Sequence, residues 1–369
     1  MRRSFFLSTF AAMLAFFALA AHHQKADAAE LYGLTPGTVE LKSSGPLAFG
    51  PSGVLFVSDP MAAKVYAINT EDKKGDSSLA YEIDDLSAKA SAAFGGQEVS
   101  LTDLAVNPET GNAFLSLTAG GKAGIAKVTA DGTVTALNLD KIANSVATLP
   151  NPPEDKEVEG RRGKTNARKS SITDVAYTAG RVLVAGLAAG DSPSAVREFD
   201  FPFNESAAGF RVEIYHAAHG RSEDNRPIDA FVPFNIGGEP SLLAGYTCTP
   251  LVKIPIGKFN SESKIQGTTV AELGNRNKPL DIIVYKQHGK DYLLMANTAR
   301  GVMKINTDNL DREEGLTEPV RGGGVAGQTY ETIESLQGVI QLDKLDDTHA
   351  LVVVQQGDGP MSLRSVDLP

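Results

Sequence analysis

An all-β fold of repeated four-stranded sheets is predicted by three observations. First, six apolar runs recur along the chain: Gly45-Pro46-Leu47-Ala48-Phe49, Thr102-Asp103-Leu104-Ala105-Val106, Thr173-Asp174-Val175-Ala176-Tyr177, Ile228-Asp229-Ala230-Phe231-Val232, Leu280-Asp281-Ile282-Ile283-Val284 and Leu336-Gln337-Gly338-Val339-Ile340. Their second residues lie 57, 71, 55, 52 and 56 positions apart, and a period near fifty built from strands means an array of equivalent sheets. Second, a tight turn follows each run, and then a second apolar run such as Gly53-Val54-Leu55-Phe56-Val57 or Tyr292-Leu293-Leu294-Met295-Ala296, as expected of buried strands joined in hairpins. Third, the last unit ends after its third strand, while a spare strand-like run, Thr38-Val39-Glu40-Leu41, precedes the first. An N-terminal strand that completes the last sheet closes an array into a ring and removes its open edges. The prediction is a six-bladed β-propeller of four-stranded blades.

Taken in order, each unit reads as strands A to D. Strand A is the marked run and strand B its partner. The A-to-B turns, Pro51-Ser52-Gly53, Pro108-Glu109-Thr110-Gly111 and His288-Gly289-Lys290, carry turn-forming residues. Strand C alternates and repeats a basic residue: Ala126-Lys127-Val128, Val196-Arg197-Glu198, Val252-Lys253-Ile254, Met303-Lys304-Ile305. Period two with one polar position predicts a wetter face further out in the sheet. Strand D is weaker: Thr133 to Leu137, Arg211 to Tyr215, Thr268 to Ala271. The wide 71-residue gap predicts a polar loop insertion over about 143–170, containing Arg161-Arg162-Gly163-Lys164, either a solvated loop or a lid or docking arm.

The N-terminus reads as an export signal. Arg2-Arg3 precede an apolar stretch, Phe5 to Ala20, and a small-residue cleavage site, Ala26-Asp27-Ala28, follows, so residues 1–28 are assigned to a signal peptide and 29–369 to one propeller domain. The product is expected in the periplasm or outside the cell, as a monomer, with no membrane span after cleavage. Losing Arg2, Arg3, Lys25 and Asp27 moves the formal charge from −10 to −12, which argues against nucleic acid as a partner. A single cysteine, Cys248, leaves no internal disulfide.

Candidate site residues follow from propeller geometry, in which starts of strand A and ends of strand B meet on one face beside the axis. Asp103, Asp174, Asp229 and Asp281 start four of the A strands. Such a ring either holds Ca²⁺ or another divalent cation through oxygen ligands, or caps turns by accepting backbone N–H groups. Like charges held together call for a cation or a buried arginine among them. Asn297, at a strand B end, is a further oxygen ligand or a turn residue. His216 and His219 lie three apart in a loop rich in acids and arginines, a pair suited to a transition metal if a third ligand joins them. Arg221, Arg226 and Arg300 are candidates for recognising a carboxylate or phosphate. Cys248 has no Cys-His signature around it and reads as structural. Gly322-Gly323-Gly324-Val325-Ala326-Gly327 fits G-x-G-x-x-G but follows no parallel strand and opens no helix, so it is a loop.

Gly45-Pro46-Leu47-Ala48-Phe49-Gly50-Pro51-Ser52-Gly53-Val54-Leu55-Phe56-Val57-Ser58-Asp59 with Lys64-Val65-Tyr66-Ala67-Ile68 resembles a blade of the NHL-repeat and gluconolactonase-like six-bladed superfamily. Pro279-Leu280-Asp281-Ile282 through Asn297 and Gly301-Val302-Met303-Lys304-Ile305 is similar. The resemblance implies the fold and the active face. The lactonase-type members place a metal-binding glutamate just before the Gly-Pro of their first blade, where this chain has Ser44. Quinone-cofactor propellers carry repeated tryptophan motifs, and this chain has no Trp. A propeller hosts many chemistries. The expected function is therefore an exported module binding a small molecule or a protein partner on its channel face. A metal-dependent hydrolase or lactonase is the alternative, and a quinoprotein or electron-transfer subunit the third.

Overall fold

The computed structural model describes residues 28–160, 163–204, 207–256 and 264–369. The assigned signal segment through residue 27, and Arg161-Arg162 of the basic run, lie outside the described residues. Among the described residues no helix is long and apolar enough to cross a membrane.

The fold is all-β and contains several four-stranded antiparallel sheets, as predicted, with a fifth strand added to one and two others joined edge to edge. Numbered by their inner strands in chain order, the first sheet holds Leu47–Phe49, Val54–Asp59 and Lys64–Asn69. The second holds Val99–Val106, Ala113–Ala119, Lys122–Val128 and Val134–Ala136. Asp174–Thr178, Arg181–Leu187, Ser194–Asp200 and Ala207–His216 form the third. The fourth is Ala230–Ile236, Glu239–Gly245, Pro250–Pro255 and Lys264–Leu273, and the fifth Pro279–Gln287, Lys290–Asn297, Gly301–Asn306 and Tyr330–Thr332. Val339–Lys344, His349–Val354 and Ser362–Asp367 belong to the sixth. Every residue of Val54–Asp59 is buried, because sheets pack against both faces of a second strand; such strands read as unbroken apolar runs rather than alternating ones.

Two outer strands come from unexpected places. The sixth sheet is completed by Glu82–Ile83, with Leu363 opposite Ile83, and not by the N-terminal run. Thr38 to Leu41 forms no strand; the N-terminal strand is Thr35–Gly37, and it pairs with Ile142–Thr148. Ile142–Thr148, predicted to begin a loop insertion, is itself the fourth strand of the first sheet, with Val146 opposite Tyr66. Only the remainder of that segment, with its small hairpin Val158–Gly160 and Gly163–Thr165, projects as an insertion. The inner strands are accordingly neighbours out of chain order. That of the first sheet packs beside those of the second and third, and the second packs beside the sixth. The sixth then meets the fifth, the fifth the fourth, and the fourth the third.

The segment joining the first sheet to Glu82–Ile83 crosses the second sheet as a strap. Its anchor is Asp72, 6% exposed, whose carboxylate accepts hydrogen bonds from Asn107 Nδ2 (2.9 Å), Thr110 Oγ1 (2.5 Å) and Asn112 Nδ2 (2.8 Å) and pairs with Lys127 Nζ. Gly75 passes so near the turn that a Cβ would lie 2.1 Å from Thr110 O, so no other residue fits there without moving backbone. Tyr81, at the far end, donates its hydroxyl to Gly111 O at 2.8 Å.

Two of the recurring strand C basic residues, Arg197 and Lys253, do not mark a wetter face. Arg197 is 2% exposed and donates to Leu187 O (2.7 Å), Ser171 O (3.3 Å) and Pro150 O (3.4 Å). Lys253 donates to Leu310 O (2.9 Å) and Arg312 O (2.7 Å). Together with Lys127 they hold connecting segments onto the sheets, with the aliphatic stems buried and the polar heads on carbonyls or carboxylate.

Candidate binding site

The inner strands enclose a cavity of about 570 Å³ lined by Asp103, Asp174, Asp281 and Asp343 among apolar and aromatic residues that include Phe49, Tyr177 and Phe231. Backbone irregularity aims two of these carboxylates: the strand register shifts between Leu101 and Asp103 and between Pro279 and Asp281, and bulges of this kind redirect a side chain. Each aspartate then reaches across to the neighbouring sheet. Asp103 Oδ2 accepts from Leu47 N–H at 2.7 Å, Asp174 Oδ2 from Phe231 N–H at 2.6 Å, and Asp281 Oδ2 from Leu342 N–H at 3.0 Å. The second oxygen of Asp174 accepts from Val175 N–H, and that of Asp281 from Ile282 N–H, both at 2.8 Å.

Asp343 makes the same bridge and was not among the predicted residues, because it ends its strand instead of starting it. Its Oδ2 accepts from Val106 N–H at 2.6 Å and its Oδ1 from Lys344 N–H at 2.7 Å. Asp229, which was predicted, is not in the cavity lining; it accepts from Thr247 Oγ1 at 2.7 Å and faces Lys278 Nζ at 3.4 Å. The lining continues to Pro108, Asp346 and Asp347, on the turns at the far ends of the A strands. The cavity thus extends toward the face opposite to the one on which strand A starts were expected to gather a site.

Electrostatically the cluster is under stress. Burial pushes the carboxyls of Asp103, Asp174 and Asp281 well above the usual carboxylate range, and neighbouring acids add to it: Asp174 and Asp343 act on Asp103, Asp281 on Asp174, Asp103 and Asp343 on Asp281. Burial raises Asp343 to about 6. The expected arginine is not there. Among the described lining residues the basic one is Lys344, and its ammonium sits on Asp347 at 2.6 Å. Retained protons or a cation from outside must therefore balance the charge.

The remaining predicted residues lie elsewhere. Asn297 Oδ1 accepts from Arg300 N–H at 2.9 Å, the turn role, and its Nδ2 is buried without a partner. Arg300 donates to Asn275 O at 3.0 Å, Arg221 pairs with Glu223 at 2.8 Å, and Arg226 is exposed; no anion cradle forms in the cavity from these. His216 and His219 do come together, with ring centroids 3.8 Å apart, at the junction of the third and fourth sheets.

No family model matches the chain, and no curated protein matches it. Among solved structures it is distantly similar to β-propellers. The extracellular domains 1–2 of Drosophila semaphorin 1b align at 10% identity and a TM-score of 0.39, over 91% of this chain and 88% of that one. A Thermus thermophilus putative oxidoreductase (glucose dehydrogenase) aligns at 11% identity and 0.35, over 90% and 100%. The PQQ-bound aldose sugar dehydrogenase of Streptomyces coelicolor aligns at 12% and 0.33, over 90% and 96%.

Proposed function

We propose that this chain is an exported, six-bladed β-propeller that binds a small organic cation in its central cavity. The neighbour relations of the inner strands support a closed ring in the spatial order second, first, third, fourth, fifth, sixth sheet, with Glu82–Ile83 as the closing strand. Export rests on the Arg2-Arg3 and apolar N-terminal pattern. The observation that carries the binding reading is the cavity with four stressed carboxylates on its wall.

An organic cation fits better than a bare Ca²⁺ ion. A volume of about 570 Å³ suits a small molecule. Asp174, Asp281 and Asp343 each already accept two backbone N–H bonds, which leaves them poor members of a tight oxygen cage but good partners for an ammonium group. Phe49, Tyr177 and Phe231 offer aromatic surface, which favours a cationic guest. The hydrolase reading has less behind it, because Ser44 stands where the lactonase-like glutamate would be and its Oγ lies 2.9 Å from Thr118 Oγ1.

Calorimetric titration of the mature protein with a panel of small amines, run in two buffers of different ionisation enthalpy, tests this. One-site binding with proton release is expected, since a bound cation drives the carboxyls to ionise. Asp281→Asn is expected to weaken it roughly ten- to hundredfold, the worth of a charge-assisted hydrogen bond. Absence of binding across the panel, or affinity unchanged from the parent in both Asp281→Asn and Asp343→Asn, overturns the reading.

A further inference from the structure

Away from the cavity, three residues distant in sequence bring ligand atoms together: one donor atom each of His216, His219 and Cys248 lies within 4.8 Å of the other two. We propose that these residues bind a late first-row transition-metal ion, Zn²⁺ or Cu²⁺, through His216 Nε2, His219 Nε2 and Cys248 Sγ.

The site is assembled by the sheet architecture. The outer strands of the third and fourth sheets run parallel and pair, Arg211 opposite Lys264 through Ile214 opposite Gly267, which brings His216 at the end of one beside Glu272 near the end of the other. The strand Arg221–Glu223 folds back along the other edge of the same third-sheet strand, with His216 opposite Arg221, and this carries Glu223 within hydrogen-bond reach of both imidazoles. Glu223 Oε2 lies 2.9 Å from His216 Nδ1, and Oε1 lies 3.0 Å from His219 Nδ1. An ionised carboxylate only accepts, so both Nδ1 atoms carry the hydrogen and both Nε2 atoms present a lone pair. A carboxylate behind a histidine is the usual support for a metal-binding imidazole; here one carboxylate serves two.

Two further observations point to a ligand. His216 is 2% exposed and its Nε2 has no hydrogen-bond partner; Glu272, fully buried, has an Oε2 in the same condition. Buried polar atoms left unpaired are uncommon and ask for an occupant. Glu272 Oε1 is 4.0 Å from His216 Nε2, which makes this carboxylate the nearby fourth donor. Cys248 also sits in a strained turn: φ is +70° there and +55° at Thr249, values that a non-glycine residue holds at a cost and that gather at functional positions. Its N–H bond to Asn277 O, 2.6 Å, fixes the turn.

The donor set decides the metal. Two imidazoles and a thiolate suit Zn²⁺ or copper, whereas Ca²⁺ and Mg²⁺ want oxygen. A tetrahedral site with bonds of about 2.0–2.3 Å spaces its ligand atoms by roughly 3.3–3.8 Å, so a small inward shift of the exposed His219 and half-buried Cys248 closes it. The same exposed edge is the entry path.

The test is titration of chelator-treated mature protein with Co²⁺ as a spectroscopic probe, then displacement by Zn²⁺ and by Cu²⁺. One equivalent of Co²⁺ with a thiolate-to-metal charge-transfer band is expected, the band vanishing in Cys248→Ser. Glu223→Gln is expected to keep the band and weaken uptake roughly ten- to hundredfold. In the unmutated protein, Zn²⁺ is expected to protect Cys248 from alkylation, a readout that needs no variant to fold. Whichever metal displaces cobalt more tightly identifies the preferred ion. No charge-transfer band, uptake unchanged by Cys248→Ser, or alkylation indifferent to Zn²⁺ overturns the proposal.

Discussion

At the scale of single residues, Asp72 is a tightly held polar group outside the cavity. Burial by itself raises its carboxyl, but hydrogen bonds from Lys127, Thr110, Asn112 and Asn107 outweigh that and hold it below the ordinary value. Removing one partner of such a network leaves the others buried and unpaired, which costs more than the net worth of the pair. Asp72→Ala is expected to destabilise the protein by about 3–5 kcal/mol, read as a lower urea midpoint with unchanged slope. A loss under about 1 kcal/mol would mean that water replaces the carboxylate and that the strap is not anchored there. Legibility at this scale followed geometry along the chain. Asp103, Asp174 and Asp281 were visible because they recur at one place in a repeat. Asp343 was hidden because it reaches the same cavity from the opposite end of its strand. His216 and His219 were visible as a pair, yet Cys248 joins them only through strand pairing that no local pattern records.

At the scale of elements, strands A and B were legible because continuous apolar runs between turns leave few other options. The outer strands were not. Glu82–Ile83 has two residues, too short for a period, and the alternation in Ile142–Thr148 is too polar to stand out from a loop. Outer strands pack on one side and carry weaker patterns, and which sheet they join is a matter of topology. The strand C basic residues show a related limit: the segments do form strands, but burial along them does not alternate, and a polar residue in them need not face water. Arg197 has its guanidinium lowered to about 10 by burial and by the nearby Arg211, and carbonyls supply its hydrogen bonds. Arg197→Met is expected to cost about 1.5–3 kcal/mol, the range for hydrogen bonds to a charged group, and to speed hydrogen exchange in segments 150–151 and 171–172, which it holds. Arg197→Lys is expected to recover only part of this, since an ammonium cannot reproduce the fork. Equal exchange in all three proteins would show that the packing of the stem, and not the polar head, does the holding.

At the scale of the whole molecule, the cavity carboxylates come from the second, third, fifth and sixth sheets, and each accepts from the inner strand of another. They act as a collective clasp whose charge the fold tolerates poorly, which gives stability an unusual dependence on pH. Asp343 has an ordinary value of 3.8 raised to about 6. Between those values the folded chain keeps a proton that the unfolded chain has released, so stability falls as pH rises. Its contribution is fully present below about 3.8 and lost as pH rises through about 6. Asp103, Asp174 and Asp281 shift in the same direction and extend the loss to higher pH. Asp72 acts oppositely: its carboxyl is lowered, so its contribution is present above the ordinary value and lost only in stronger acid. The two opposing dependences place the expected stability maximum at about pH 4, near the ordinary carboxylate value, where the cavity acids still hold their protons and Asp72 is ionised. A carboxyl raised from its ordinary value to about 6 is worth about 2–3 kcal/mol over that whole range. Without an added cation, the melting temperature is therefore expected to fall by several degrees from pH 5 to pH 8. Asp343→Asn, which keeps one acceptor oxygen and cannot ionise, is expected to flatten that slope and to be more stable than the parent at pH 8. An amine that occupies the cavity is expected to flatten the parent's slope in the same way, by compensating the charge instead of removing it. Thermal melts across that range, with and without the amine, check all three outcomes. A parent protein more stable at pH 8 than at pH 5 would show that the four carboxylates ionise freely and that the clasp carries no electrostatic load.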